Sequence, residues 1–369
     1  MNKEPKVFNE YDLLRKEDGL IYNKDGFLFT GTYCGYSGRG FPSGTLKAEY
    51  KNGLKDGRQE EFNSEEELEK ITNYKKGKLH GSYEIYYDYV NKKLYKKGAY
   101  KNGELDGPTN MYQRNGELEQ IDTYKNGMRH GLHEWRYLNT LMEKGCYKNG
   151  EKHGYWYNYY ESGELYTKAT YTDGKLDGLL EDYSKNGKLI NKIAFKNGKY
   201  DEPDGPYAYY YEDGKLRSTG YYKNGGKDGV CMSFFEDEGL FTLETYKNEE
   251  RHGLNECYYR GGKIWSVVNY KCGKKHGVEE SYYFNGNLES IRTYENGKQK
   301  GEQEHYYENG QLEFSEYYNK NSEAIGIAKY YFDNGQLEKK YDWEGDGFGI
   351  LLESYDQNGC SLIKKPQVI

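Results

Sequence analysis

Long apolar runs are missing from this chain of 369 residues. No stretch approaches the ~18 apolar residues of a membrane-spanning helix, and the first 20 residues carry charges throughout, without the apolar segment of a secretory signal. No Pro-rich or Ser-rich linker interrupts the chain, which has 6 prolines. These absences predict a soluble, cytoplasmic protein without a membrane anchor.

Cysteine is scarce and unpatterned. The chain has 6 cysteines, none in a CxxC pair or at metal-ligand spacing. They also fall at different positions of the repeat described below, so the pattern brings no two of them together. Free thiols in a reducing compartment are the prediction, with no metal and no cofactor.

Aliphatic residues are too few for a thick core, whereas Tyr (45) and Gly (47) are abundant. Such a composition borders on that of disordered chains. The net charge of -7 is small, however, and Tyr rings supply buried area in place of Leu and Val. A thin layer held by Tyr rings is therefore expected.

An aromatic residue followed by a short polar turn recurs about every 24 residues. We call it the anchor; its copies are Tyr50, Tyr74, Tyr100, Tyr124, Tyr147, Tyr171, Phe195, Tyr222, Tyr246, Tyr270, Tyr294, Tyr318 and Tyr341. A glycine usually follows seven residues later, as in Gly277 and Gly301. An aliphatic residue, such as Leu288 or Leu312, precedes the anchor by six. Because six is even, the aliphatic and anchor positions are predicted to share one face of a strand.

Asn-Gly pairs mark two turns in each unit. Asn296-Gly297 and Asn309-Gly310 are examples, and both turns are predicted to be of type I′, with positive φ at the two central residues. The sequence therefore predicts an all-β fold: a single elongated, twisted antiparallel β-sheet solenoid of about 12–13 two-strand repeats. Residues 27–356 would form the array, and residues 1–26 (with a short helix near 10–17) and 357–369 the caps.

The chain resembles the bacterial variant of the MORN (membrane occupation and recognition nexus) repeat, in the group of YwqK-type antitoxin-like proteins. The segment from Tyr294 through Gly301 to Leu312 carries the resemblance, and Phe29 to Tyr33 is similar to the start of many members. The resemblance implies a binding scaffold without catalytic residues.

Two recurring polar positions suggest chemistry but favour structural roles. Five histidines precede the repeat glycine, namely His80, His130, His153, His252 and His276, but sibling units have Asp or Lys there. This interchange indicates a turn position and not a metal site. Glutamates recur ten residues after the anchor, as at Glu84 and Glu304. A one-layer sheet offers no pocket to separate their pKa values, so a solvated stripe is expected instead of catalysis.

Charge is unevenly distributed. Residues 278–318 contain nine Glu and three Lys or Arg. Such acidity disfavours binding to nucleic acid and to anionic lipid. It serves either the solubility of the sheet or the docking of a protein partner with a basic surface. The candidate contacts are Glu279, Glu302, Glu304, Glu313 and Glu316.

Irregular units are the second source of candidates, because regular positions are explained by folding. An insertion supplies Tyr200 and Glu202, and Trp135, Trp156 and Trp265 replace smaller residues. Together these features predict a non-enzymatic, protein-binding scaffold. An inhibitor of the antitoxin, immunity or anti-defence type is the leading hypothesis, and a membrane-associated organiser or adhesion protein is the alternative. The identity of the partner and the oligomeric state stay open.

Overall fold

A computed structural model describes residues 7–8, 12–36, 45–88, 91–198, 203–345, 348–363 and 365–368. Its regular elements are β-strands, of which 33 belong to one sheet. Consecutive strands pair antiparallel; one parallel pair joins the first strand to the fourth. The all-β, antiparallel repeat fold is thus confirmed. The chain comprises two compact units, Met1–Gly178 with Lys185–Gly187 and Leu179–Ser184 with Lys188–Ile369.

Strands of the first unit follow one another in the order of the chain. They are β1 Val7–Phe8, β2 Leu13–Arg15, β3 Ile21–Asn23, β4 Gly31–Tyr36, β5 Thr45–Lys51, β6 Leu54–Phe62, β7 Leu68–Lys75, β8 Lys78–Asp88, β9 Lys93–Lys101, β10 Glu104–Leu105, β11 Gly107–Tyr112, β12 Leu118–Lys125, β13 Met128–Tyr137, β14 Thr140–Lys148, β15 Glu151–Tyr159 and β16 Leu165–Thr172, followed by β17 Lys175–Tyr183 at the change of unit.

The second unit continues the same alternation. Its strands are β18 Leu189–Gly198, β19 Gly205–Tyr210, β20 Leu216–Lys223, β21 Gly226–Lys227, β22 Gly229–Phe234, β23 Leu240–Lys247, β24 Glu250–Arg251, β25 Gly253–Tyr258, β26 Ile264–Lys271, β27 Lys274–Tyr282, β28 Leu288–Glu295, β29 Lys298–Gln299, β30 Gly301–Tyr306, β31 Leu312–Tyr318, β32 Ile325–Tyr331, β33 Leu337–Gly345, β34 Phe348–Ser354 and β35 Gln367–Val368.

The two turns of a unit differ from each other. At the turn after the anchor, Asn296 and Gly297 both have positive φ, 52° and 86°, as type I′ requires. At the other turn Gly310 has a φ of 87°, but Asn309 is not left-handed. Gly310 N donates to Tyr307 O, and Tyr307 N donates to Gln311 O. The second turn is therefore a type I turn followed by a left-handed residue, and the prediction of two type I′ turns was wrong.

Most buried side chains belong to two positions of the repeat. These lie two residues before and nine residues after an anchor, as Ala169 and Trp156 do in facing strands. We call the side of the sheet that carries them the core face, and the other side the opposite face. The core face combines apolar with hydrogen-bonded polar side chains, for example Tyr83 (3% exposed) and Gln303 (3% exposed). The anchors lie on the core face, because they are two residues beyond a buried position.

Large core-face side chains lie over glycines of the adjacent strand. A Cβ on Gly145 would lie 2.3 Å from the Trp156 ring, and one on Gly220 would lie 2.8 Å from the Tyr207 hydroxyl. Glycine at these positions therefore leaves room for the aromatic ring, which explains why Trp156 and Tyr207 become fully covered in so thin a sheet.

A β-bulge one residue after the aliphatic position changes the predicted facing. Tyr282 pairs with Leu288, and Ser281 pairs with Ser290, which leaves Glu289 without a partner. One extra residue moves the preceding side chain to the other side of the strand. Leu288 thus lies on the opposite face from the Tyr294 anchor, and the prediction that the two positions share a face was wrong.

The N-terminal segment also differs from expectation. Residues 13–15 and 21–23 form the antiparallel hairpin β2–β3, so a strand occupies residues 13–15 of the segment 10–17, where a helix was predicted; residues 10 and 11 lie outside the described residues. Ile21 N and Gly53 O are hydrogen-bonded at 3.0 Å, which ties this hairpin to the first turn of the array. All six cysteines are free thiols, with Cys231 buried.

Candidate binding surface

In seven units the residue before the repeat glycine contacts the next turn along the chain. Asp56 Oδ2 accepts a hydrogen bond from Lys76 N at 3.0 Å, and His80 Nδ1 accepts one from Asn102 N at 3.4 Å. The same contact recurs at Asp106, His130, Asp228, His252 and His276. Because imidazole and carboxylate both accept hydrogen bonds, either residue serves here. No group of three or more metal-ligating side chains occurs among the described residues.

A cation lies over an anchor ring in many units. Arg251 lies 5.5 Å from the Tyr270 ring centroid, and Lys275 lies 5.0 Å from that of Tyr294. A carboxylate of the same repeat pairs with each of these two cations: Glu244 with Arg251 and Glu279 with Lys275, both at 2.5 Å. This recurrent arrangement joins neighbouring repeats and fixes the aromatic rings of the core face.

Each regular unit presents one bulged residue, defined as the extra residue that the bulge inserts into the strand directly after the aliphatic position. In the first unit these are Glu69, Tyr95, Glu119, Met142 and Tyr166. In the second unit they are Arg217, Phe241, Trp265, Glu289, Glu313 and Glu338. Their chemistry varies from basic to aromatic to acidic while the pairing around them stays the same.

Eight segments match the sequence profile of the MORN repeat variant. They are residues 105–126, 152–173, 176–197, 203–224, 251–271, 275–296, 299–320 and 325–344. The chain carries MORN repeats of the variant type. Its MORN repeats form a regular scaffold, with the hairpins, turns and glycines described above.

Two kinds of solved structure also resemble the chain. The crystal structure of TcdB2-TccC3-TEV has 10% sequence identity and a TM-score of 0.17, and the alignment covers 92% of this chain and 23% of that one. A Photorhabdus luminescens Tc holotoxin pore has 10% identity and a TM-score of 0.17, with 93% and 22% coverage. The chain therefore spans less than a quarter of the length of both of these proteins. No curated protein matches it.

Two of the five candidate glutamates are engaged on the core face of the MORN array. Glu279 pairs with Lys275, as described above, and Glu316 accepts hydrogen bonds from Tyr318 (2.8 Å) and Tyr330. Burial and the contact with Glu316 raise the pKa of the Tyr330 hydroxyl. These two carboxylates hold the fold together, so their charge is largely compensated by donors within the chain.

The other three candidates have different surroundings. Glu302 is exposed. Glu304 accepts a hydrogen bond from Tyr306 at 2.7 Å on the opposite face; burial and this bond raise the Tyr306 pKa to about 12. Glu313 is a bulged residue and lies 2.5 Å from His305 Nδ1. The five glutamates therefore do not share one face of the sheet.

Aromatic candidates also separate. Trp156 is 1% exposed and donates its Nε1 hydrogen to Cys146 O at 3.1 Å, so the prediction that it contacts a partner was wrong. Its repeat position, nine after the anchor, is the buried one. Trp135 is 37% exposed and stays a candidate. Tyr200 and Glu202 lie outside the described residues.

Sequence reasoning named Trp265 but missed Phe241, which has the same surroundings one repeat earlier. Phe241 (38% exposed) lies 4.8 Å from Phe235, and Trp265 (44% exposed) lies 6.1 Å from Tyr259, measured between ring centroids. In each pair a bulged residue rests on an aromatic residue of the second turn. The signal in the sequence is the variable residue directly after the aliphatic position.

A buried charged cluster occupies the first unit. His133 Nδ1 lies 2.8 Å from Asp122 Oδ1, and its Nε2 lies 3.7 Å from Glu143 Oε2. Burial alone would lower the His133 pKa, but the hydrogen bond to Asp122 and the nearby Glu143 carboxylate raise it to about 9. The interaction with His133 lowers the Glu143 pKa to about 2, despite burial. His133 is 5% exposed, so this cluster stabilises the repeat and offers no room for a substrate.

No helix in the described part of the chain has the length and hydropathy to cross a membrane.

Proposed function

We propose that this chain is a non-catalytic repeat scaffold that binds a protein partner and blocks it. The observation that carries the proposal is the series of bulged residues. Anchors, turns and buried positions are committed to folding, whereas the bulged residues vary without altering the pairing. In solenoid arrays, specificity of this kind resides at the positions that vary between units.

The bulged residues of the second unit divide into two chemical groups. Arg217, Phe241 and Trp265 form a basic and aromatic group, and Glu289, Glu313 and Glu338 form an acidic group. Exposed Phe and Trp are common anchors of protein interfaces. The acidic group, with exposed Glu302, fits a partner with a basic surface and would accelerate its association.

The blocking role extends the resemblance to antitoxin-like MORN proteins. An inhibitor of this kind works by covering a functional surface of its partner, for which a repeated, adjustable face is suited. We therefore propose an antitoxin, immunity or anti-defence role in the cytoplasm, acting by occlusion and without chemistry.

Affinity capture with the full chain tests this proposal. Captured proteins are identified by mass spectrometry, purified, and titrated against the chain by calorimetry, and the activity of the partner is measured with and without it. The double variant Phe241→Ser, Trp265→Ser should weaken binding by tenfold or more. Its control is Leu254→Ser, Val278→Ser, which removes two side chains of similar exposure (40% and 44%) from the opposite face.

Equal weakening by both double variants would show that the bulged residues carry no specificity. Retention on vesicles of anionic lipid, together with failure to capture any protein that binds stoichiometrically after purification, would contradict the protein-scaffold proposal. It would favour the membrane-associated organiser.

A further inference from the structure

A groove of about 360 Å³ lies on the core face of the second unit. Ser218, Ser233 and Thr242 line it, together with the bulged residues Arg217 and Phe241 and the cation Lys227. Its size suits one or two side chains of a bound segment, at the lower end of the volumes of ligand pockets.

The groove exists because small residues replace large ones. The repeat position of Ser218 holds Gln120, Glu143 or Phe314 in other units, and that of Ser233 holds Met111, Trp135 or His305. Ser233 and Thr242 face each other in the pairing, with their hydroxyl oxygens 2.5 Å apart. Two short side chains on facing strands thus leave open the space that larger ones fill in the repeats of Trp135 and His305.

Lys227 and Lys55 differ from the other cations that lie over anchor rings: Lys55, over Tyr74, donates to the Gln59 amide oxygen, whereas Lys227 has neither an amide nor a carboxylate at the corresponding position. Its ammonium lies 5.1 Å from the Tyr246 ring centroid, like the cations of sibling units. Four of those cations pair with a carboxylate two or four residues before, or nine after, their own anchor: Asp122 for Arg129, Glu143 for Lys152, Glu244 for Arg251 and Glu279 for Lys275. In the repeat of Lys227 the three positions hold Gly220, Ser218 and Cys231.

No carboxylate of the described residues pairs with Lys227 or Arg217. Glu244 also lines the groove, but it already accepts from Tyr246 at 3.0 Å and pairs with Arg251. Besides Glu244, the groove therefore has two cations, the aliphatic hydroxyls of Ser218, Ser233 and Thr242, and an exposed aromatic ring. A carboxylate with an adjacent apolar group complements this set, because charge-assisted bonds from guanidinium and ammonium are strong and specific.

We propose that this groove binds an acidic segment of the protein partner, with one Asp or Glu carboxylate placed between Lys227 and Arg217 and a neighbouring apolar side chain packed on Phe241. The inference rests on the proposed function as a protein-binding scaffold. It adds that the partner supplies to Lys227 the carboxylate that sibling repeats supply from their own sequence.

An acetylated, amidated peptide of alternating Glu and Phe serves as the probe, labelled for fluorescence anisotropy and titrated with the full chain. The matched peptide has Gln in place of Glu. The Glu peptide should bind at least tenfold more tightly than the Gln peptide. Lys227→Gln should abolish this difference, whereas Lys271→Gln, the same loss of charge at an exposed residue without an ion pair, should preserve it.

Ser218→Glu is the second test, because it places a carboxylate where Glu143 lies in the repeat of Lys152. This variant should fold and keep its melting temperature within a few degrees. It should no longer bind the Glu peptide, because the introduced carboxylate pairs with Lys227. Equal affinity of wild type, Lys227→Gln and Ser218→Glu for the Glu peptide would overturn the inference. The inference would also be overturned if the chain did not bind the Glu peptide but bound anionic vesicles tightly, and if Lys227→Gln abolished that vesicle binding.

Failure of this inference can be told apart from failure of the scaffold proposal. Consider a captured partner that binds Lys227→Gln as tightly as wild type but fails to bind the Phe241→Ser, Trp265→Ser variant. That result would support the scaffold proposal and contradict the carboxylate-binding groove.

Discussion

His133 and Asp122 face each other on β13 and β12, with 2.8 Å between Nδ1 and Oδ1 and with both side chains buried. A histidine charged at neutral pH is thus enclosed in a sheet one layer thick. His133 also stacks on Trp156 at 5.5 Å, so the ion pair and the largest buried ring of the first unit stabilise the same place. The pH dependence of stability should report on it.

The free energy of unfolding should fall as the pH rises through about 9. Because the folded-state pKa of His133 lies above its ordinary value of 6.5, its contribution is complete below that value and is lost as His133 deprotonates in the folded state. Thermal melts from pH 6 to 10 should show a decline in wild type that is smaller in His133→Gln. An imidazole that titrates near 6.5 by NMR would contradict this.

Trp156→Ala should lower the free energy of unfolding by about 3–5 kcal/mol, because it leaves a cavity above Gly145 and exposes the charged cluster. Trp265→Ala removes an exposed ring and should cost less than about 1 kcal/mol. Denaturant melts of the two variants test the reassignment of Trp156 from contact residue to core. Similar losses in both would contradict it.

Glu316→Lys should destabilise the second unit, because the Tyr318 and Tyr330 hydroxyls lose their acceptor and a cation replaces a carboxylate on the core face. A loss of about 1–3 kcal/mol is expected. Glu302→Lys makes the same charge change at an exposed residue and should stay within about 0.5 kcal/mol. Thermal melts compare the pair directly, and equal melting temperatures would show that Glu316 is not structural.

His276→Asp should preserve the melting temperature, because a carboxylate can still accept from the Asn296 amide. His276→Leu removes the acceptor and should cost about 1 kcal/mol. Amide hydrogen exchange at Asn296 gives a local measurement: exchange should quicken in His276→Leu alone. The reciprocal control, Asp228→His, should leave exchange at Asn248 unchanged.

Reversing the exposed residues Glu302 and Glu308 to Lys should weaken association with a basic partner while the chain remains folded. The loss should be largest at low ionic strength, where exposed charges are least screened. The control reverses Glu65 and Glu161, exposed residues of the first unit, for the same change in net charge. Association rates from stopped-flow measurements that are equal for both variants at every salt concentration would show that Glu302 and Glu308 contribute to solubility and not to recognition.

The sequence was sufficient to predict the antiparallel hairpin repeats, because period and turn residues depend on local geometry. It was also sufficient for the His and Asp interchange, since only the capacity to accept a hydrogen bond matters there. The side of the sheet on which each side chain lies was not predictable from residue spacing alone. The count of six between Leu288 and Tyr294 is even, but a bulge at Glu289 adds a residue without a partner, and bulges have no distinct residue type.

For the same reason, candidate contacts were only partly predictable. Glu279 and Glu302 look alike in a composition count, yet one lies nine residues after an anchor and the other eight. That single step places Glu279 beside Lys275 on the core face and leaves Glu302 exposed. The groove beside Lys227 was not predictable from sequence either, because the three positions that can supply a carboxylate to such a cation are separated in sequence and meet only in the folded sheet.

The bulge gives the second unit a linear series of variable residues, one from each repeat. Arg217, Phe241, Trp265, Glu289, Glu313 and Glu338 succeed one another along the sheet in the order in which the gene encodes them. A point substitution of such a residue changes one position of the recognition surface without disturbing the hairpins. Duplication or loss of a whole repeat adds or removes one such position. Unequal recombination between copies would therefore remodel the recognition surface while the turns and anchors stay the same.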